Sequence, residues 1–271
     1  MSGQGPDIVS IGFSSIKGTR HVRQPEARFD AEGPIGDRRY CLVDVDRRQV
    51  LKTVQNPSLI AVTAELRGEE LELTLPDGRS ACAVPEPDGE VLTCEYWKRR
   101  TDLKLIDGPH SELLSNWLKR PVRLARAPRG DVVYGAPVTI VATASLADLA
   151  DRAARPELVA EAARFRATFV IDTDVPFAEE AWKGREISLG EPGLGEIRVR
   201  IGAPIPRCAV MDLDPVTGER NAPVLRTLAG YRPTNAAGEP VFGVYAEIVR
   251  WSGLRWTRGP GDGAAAGPSL R

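Results

Sequence analysis

Cys208 stands in the stretch "APIPRCAVMDLDPVTGERN", residues 203 to 221, after a Pro–Arg pair and before an acidic turn running from Asp212 to Gly218. A thiol there has four chemical options: small apolar filler, disulfide partner, nucleophile or metal ligand. Pro204 and Pro206 fix the backbone ahead of it and remove hydrogen-bond donors. Arg207, its neighbour, would favour the thiolate, the form that attacks electrophiles and binds soft metals. In an extended strand, however, consecutive residues face opposite ways, which would part the guanidinium from the sulfur. Residue types alone therefore leave open whether Cys208 reacts or only packs.

The other candidates are fewer than they first look. Cys41, Cys82 and Cys94 complete the cysteines, and none lies in a C-x-x-C, so a zinc knuckle or a thioredoxin-type pair is unsupported. The ferredoxin spacing is missing too. Cys41, between Tyr40 and Leu42 in an apolar run, reads as a buried structural thiol. Cys82 and Cys94 flank the turn "PEPDG" and could face each other across it; both read as reduced structural thiols. His21 and His110 are the two histidines, too few for a His-type zinc site, and each reads as a solvated loop residue. No P-loop, G-x-S-x-G or H-E-x-x-H occurs, and nothing pairs two carboxylates at one place.

The elements that must position these residues start with strands. "DIVSIGF" (7–13), "RRYCLVDVD" (38–46) and a returning "RRQVLKTV" (47–54) read as strands. Alternation continues around Gly68 and the Asp77-Gly78 turn, a good hairpin signal. Helices are predicted over 110–120, stopped by Pro121, and over 143–155, with Thr143 or Ser145 as N-cap and Asp148 completing a capping box. A third is predicted over 156–165, opening on proline. "FVIDT", "EISLG", "EIRVRIG", "CAVMDLD" and "VYAEIVR" then read as strands, and the Gly/Pro-rich tail, 258–271, as disordered. Strands, helices, then strands again is not the βα alternation of a dinucleotide-binding sheet. It predicts a mixed, barrel-based architecture.

Composition sets the outer limits. The chain has 271 residues, 42% hydrophobic and 27% charged, with net charge −1, which provides no global field for nucleic acid or an anionic membrane. Glycine and proline number 26 and 22, which suits many turns and short strands. Arginine (30) far outnumbers lysine (6); this suits the forked binding of oxyanions and equally suits a GC-rich genome. No apolar run reaches the roughly 20 residues of a membrane span, and "MSGQGPDIVSIGF" has no signal-peptide pattern. The cytoplasm is the expected compartment.

In order, the motifs resemble a known family. "RCAVMDLDPVTGE" resembles the R-C-x-x-x-x-x-D-P-x-T-G signature of the MOSC domain, named after the C-terminal domain of molybdenum cofactor sulfurase. "FSSIKGTR", "GPIGDRRYCLVD" and "QNPSL" are similar to the family's amino-terminal module, and "TASLADL", "FRATFVID", "FAEEAWKG", "LRTLAGYR" and "FGVYAEI" to the MOSC domain proper. The resemblance spans about residues 7 to 250, with departures at Ser15, Gly18, Val54, Ala167 and Thr168. It implies a mainly β, α+β fold: an N-terminal β-rich module over 1–105 and a MOSC β-barrel with a few helices over 106–257. It further implies a molybdopterin cofactor between the two, with Cys208 as the molybdenum ligand and Lys17, Arg38, Arg166 and Thr168 as its contacts. Arg207 and Asp212 join Cys208 as candidate catalytic residues. The implied activity, as in the mitochondrial amidoxime-reducing component and its bacterial relatives, is reduction of small N-hydroxylated or N-oxide substrates. Electrons would come from a separate donor protein of ferredoxin, cytochrome or flavin type. The alternative is sulfur transfer or C–S bond tailoring by Cys208 without a metal; a binding module without turnover is a third.

Overall fold

The first hundred residues fold back on themselves at glycines that tolerate a left-handed backbone. Thr63–Arg67 returns as Glu70–Thr74 past Gly68 (φ +66°), and that strand returns as Ser80–Ala83 past Gly78 (φ +85°). The three strands make one antiparallel sheet, and its Leu71 and Leu73 share an apolar cluster with Leu114 of helix Pro109–Leu118. The computed structural model describes residues 5–190, 196–251 and the backbone of 256–257. The tail predicted to be disordered lies outside them.

A further hairpin carries no glycine mark. Pro87–Tyr96 turns back as Arg99–Ile106 through Trp97 and Lys98, at φ 48° and 65°. With Arg123–Arg126, Tyr40–Asp44 and Gln49–Val50, these strands close a barrel of five. Val43, Leu92, Tyr96, Leu103 and Leu105 are buried in one cluster there, each contributing about 1.5–3 kcal/mol through lost apolar surface. Cys41 and Cys94 are sealed in the same cluster, and burial pushes the Cys41 thiol up to about 12. Cys82 and Cys94 do not face each other. The "PEPDG" segment carries the chain from one sheet to another, so Cys82 lies exposed opposite Glu72 while Cys94 sits opposite Thr101.

The second half builds a seven-stranded sheet in the order Glu186–Leu189, Ile197–Pro206, Val241–Trp251, Val138–Ala142, Phe169–Ile171, Ile8–Phe13, Val22–Gln24. Its pairs are antiparallel except Val138–Ala142 with Phe169–Ile171. That parallel pair is joined by helix Thr143–Ala153 and two short 3-10 turns, the kind of crossover a parallel connection needs. The strand Ile8–Phe13 belongs to this sheet, and the segment after it runs along Tyr40 of the barrel before Val22–Gln24 returns to the sheet. The two modules are thus laced together at Ser14. The fold is mainly β with a few helices, as the resemblance implies.

Several local expectations give way to tertiary contacts. Residues 156–165 form two 3-10 turns, Pro156–Val159 and Ala162–Phe165, because Arg164 is drawn inward onto the Met211 and Leu213 carbonyls. The expected capping box is not used. Glu179 caps helix Thr143–Ala153 from another element, accepting from the Ala142 N–H and the Ser145 hydroxyl, while Asp148 pairs with Arg152. "CAVMDLD" is no strand: Ala209–Asp212 is a 3-10 turn. Of 47–54 only Gln49–Val50 returns as strand. Neither histidine is a solvated loop residue. His110 is buried on its helix and bonds the Leu71 carbonyl at 2.7 Å; His21 is half-buried and bonds the Ala167 carbonyl at 3.0 Å.

Candidate functional site

The segment Ser14–Arg20 leaves the large sheet and runs beside Asp37–Tyr40 of the barrel. Backbone bonds fix that pairing: Arg38 N–H to Ser14 O at 2.7 Å, Tyr40 N–H to Ser15 O at 3.1 Å, Lys17 N–H to Tyr40 O at 2.8 Å. Lys17 and Arg38 are thereby held on neighbouring strands of chain. Arg166 arrives from the second module, left-handed at φ 52° after the turn Ala162–Phe165, and donates to the buried Ser14 hydroxyl at 2.7 Å. So Ser14 is the post on which the third cation is fixed.

Charge at this junction is unbalanced. Lys17, Arg38 and Arg166 lie within electrostatic reach of one another, and among the described residues the carboxylate of Asp37 answers them. Asp37 is already bonded to Arg38 through Nε at 2.9 Å. Burial, then Arg38, then Arg166 lower the Lys17 amine to about 7. Burial and Arg38 likewise push Arg166 down to about 10. Burial first, and then the same two guanidinium groups, hold His21 down at about 3, so it stays neutral. The Lys17 amine also sits 4.7 Å over the Tyr96 ring, which eases a cation short of acceptors. Such a cluster suits an anion with several oxygens, which would relieve the repulsion and fill the donors. His21, Ser14 and Tyr96 were missed in the sequence. Only His21, four residues after Lys17, had any signal there.

Cys208 is exposed and opens the 3-10 turn, its carbonyl accepting the Met211 N–H at 3.0 Å. Arg207 does not bond the sulfur. Its Nε donates to Phe242 O at 2.8 Å and its Nη1 to Phe165 O at 3.0 Å, while Nη2 is buried without an acceptor among the described residues. Gly243 makes room: a Cβ there would lie 3.3 Å from that Nη2 and 2.5 Å from Ile140 O. Phe165 immediately precedes Arg166, so one bond ties the neighbour of Cys208 to the neighbour of the third cation. Burial lowers Arg207 to about 10, with Tyr245 and Cys208 among the groups that pull it back up.

The other expected site residues are occupied within the fold. Asp212 accepts from the Leu225 N–H at 2.8 Å and pairs with Arg220 at 2.5 Å, closing the acidic turn on helix Val224–Ala229. Thr168 is buried and bonded to Thr139 across the sheet, its N–H at 3.0 Å from the Thr139 hydroxyl. The acidic turn itself docks on the "QNPSL" turn: at Gly218 (φ +76°) a Cβ would come 2.2 Å from Pro57 O. Arg20 clasps both sides, donating to Ala61 O at 3.1 Å and Val216 O at 2.8 Å.

Fold and site therefore define a two-module β protein with a cluster of cations where its modules meet and an exposed thiol next to Arg207 in the chain. Residues 6–121 match the MOSC N-terminal beta barrel domain and residues 124–256 the MOSC domain, and the chain belongs to the MOSC family. Among curated relatives, molybdenum cofactor sulfurase of Drosophila grimshawi is 23% identical over 260 residues, covering 89% of this chain and 32% of that protein. The Caenorhabditis elegans molybdenum cofactor sulfurase is 24% identical over 254 residues, covering 89% and 33%. The chain thus spans about a third of the length of these relatives. A solution structure from Bordetella bronchiseptica overlaps 36% of this chain and 78% of its own at 22% identity, with a TM-score of 0.28. The family is one related to the molybdenum cofactor, and its named relatives are enzymes.

Proposed function

We propose that this protein holds a molybdenum cofactor at the junction of its modules and serves as an oxidoreductase of N-hydroxylated or N-oxide substrates. The observation that carries this reading is the gathering of Lys17, Arg38 and Arg166 around the carboxylate of Asp37. The donor set fits a phosphate-bearing, anionic pterin: forked guanidinium groups plus an amine whose charge is suppressed until an anion arrives. Cys208, exposed and linked to the Arg166 turn through the Arg207–Phe165 bond, would supply a soft sulfur ligand to the metal. Such a cofactor, when bound, supplies two-electron chemistry able to take oxygen from an N–O group. The protein's part is to neutralise the phosphate, orient the pterin from Arg38 and Arg166, and keep Cys208 at the solvent edge. Electrons would be delivered by a separate donor protein, since the sequence carries no flavin, haem or ferredoxin signature. Elemental analysis and pterin fluorescence of the purified chain test this. Cys208→Ser should lose molybdenum with an unchanged urea midpoint; full retention of metal would remove the role of Cys208.

A second reading is favoured by the names of the relatives and by the free, exposed thiol: sulfur transfer or C–S tailoring at Cys208 without molybdenum. Cyanide-releasable sulfur on Cys208 in metal-free protein would support it against the first.

A further inference from the structure

Two aromatic side chains stand in solvent at the edge of the site. Trp97 and Tyr134 are 49% and 47% exposed, yet their rings meet, with centroids 4.8 Å apart and planes tilted by 50°. They come from different parts of the chain. Trp97 lies at the tip between the strands Pro87–Tyr96 and Arg99–Ile106, and Tyr134 in the segment that joins Arg126 to Val138. Large rings of this kind are usually covered, and a tilted pair leaves π surface open to a third ring.

Their presentation is built into the fold. The tip holds Trp97 and Lys98 at φ 48° and 65°, a left-handed pair that Asn-Gly adopts with less strain. The joining segment is tied to the same hairpin. Arg99 Nη2 donates to Val133 O at 2.6 Å, the Thr101 hydroxyl donates to Asp131 at 2.8 Å, and Val132 is buried in the barrel cluster.

The pair also spans the two halves of the site. Tyr96, whose ring lies under the Lys17 amine, immediately precedes Trp97. Gly135, which follows Tyr134, rests on Tyr245, since a Cβ there would fall 2.3 Å from that ring. Tyr245 is in turn within electrostatic reach of Tyr134, Arg207 and Cys208. One more group stands at this edge: the Lys52 amine lies 4.5 Å over the Trp97 ring and pairs with no carboxylate among the described residues. A cation held there without an anion suits a negative charge brought by the ligand.

We propose that Trp97 and Tyr134 form a substrate ledge, on which a planar aromatic ring packs while an anionic substituent of that ring reaches Lys52. That this ring belongs to the substrate of the N–O chemistry rests on the function proposed above; the ledge as a binding surface does not.

The probe is naphthalene-2-carboxylate, titrated by calorimetry into the purified full chain. Cyclohexanecarboxylate serves as a saturated anion of equal charge, and molybdenum content is measured on every sample. The parent should bind the naphthoate saturably and about fivefold or more tighter than the saturated acid. Trp97→Ala should weaken naphthoate binding about tenfold, while Trp97→Phe and Lys52→Met should each weaken it about threefold. Each variant should keep the parent's molybdenum content. In turnover, Trp97→Ala should raise KM for an aromatic amidoxime about tenfold more than for an aliphatic one, with the loss in KM rather than kcat. No saturable binding to the parent, equal affinity for the two acids, or equal naphthoate binding by Trp97→Ala overturns the ledge. A parent dimer that Trp97→Ala dissolves, with naphthoate unbound, gives this surface to a second copy and overturns it too. A parent without molybdenum whose naphthoate binding still needs Trp97 upholds the ledge and removes the cofactor reading instead.

Discussion

Arg164 and Arg166 sit two residues apart and do opposite things. The Arg164 side chain is fully buried, and its guanidinium is spent on Glu161, on the carbonyls of Met211 and Leu213, and on the Asn221 side chain at 3.0 Å. Arg166 has one side-chain bond, to Ser14, and otherwise faces Arg38 and Lys17. The first binds the acidic turn to the protein; the second is held ready and left short of acceptors. Burial of an arginine therefore says little about its role. What separates structure from function here is whether the protein itself supplies the partners.

The sharpest way to break this comparison is Arg164→Ala. It strips donors from carbonyls that anchor the turn, and about 3–5 kcal/mol should be lost in urea unfolding, the cost typical of breaking a buried charge network. A midpoint near the parent's would put Arg164 in the same class as Arg166. Next in size is Gly218→Ala, which meets the Pro57 carbonyl from a left-handed backbone and should cost about 1–3 kcal/mol. No loss would mean that the two turns are not seated on each other.

The Lys17 amine gives a test by pH. It titrates at 10.5 in its ordinary state and at about 7 in the fold, so between those values the unfolded chain holds the extra proton. Stability of the parent should then rise with pH across that window relative to Lys17→Met. Added pyrophosphate should flatten the difference by restoring the proton. Parallel urea midpoints for the two proteins at pH 6.5 to 9.5 would show that no charge is suppressed there. The smallest stability effect belongs to Arg166→Met: less than about 1 kcal/mol, because lost desolvation offsets the lost bond. Calorimetry should nonetheless show pyrophosphate binding abolished, and unchanged binding would dissolve the distinction from Arg164.

The sequence showed some of this and hid the rest for physical reasons. Alternation and the Gly68 and Asp77-Gly78 turns exposed the first sheet, because period-two burial and positive φ leave marks on residue type. The Trp97–Lys98 turn left none, since it adopts positive φ without glycine. "CAVMDLD" alternates like a strand, yet the bonds of Asp212 to Leu225 and Arg220 bend it into a turn. The Cys208 neighbourhood was legible through the family motif. The direction of the Arg207 side chain was not, because Phe165 and Phe242 lie far from it in sequence.

The strand Ile8–Phe13 finds its partner at Phe169–Ile171, so Ile8 must wait for Ile171 to emerge before it can pair. A nascent chain stopped between Arg126 and Arg166 has all five barrel strands but not the third cation of the junction. Assembly of the cleft is thereby tied to completion of both modules, with a long loop to close and a correspondingly slow final step. Half a protein would lack the complete cation cluster on which the proposed cofactor site depends.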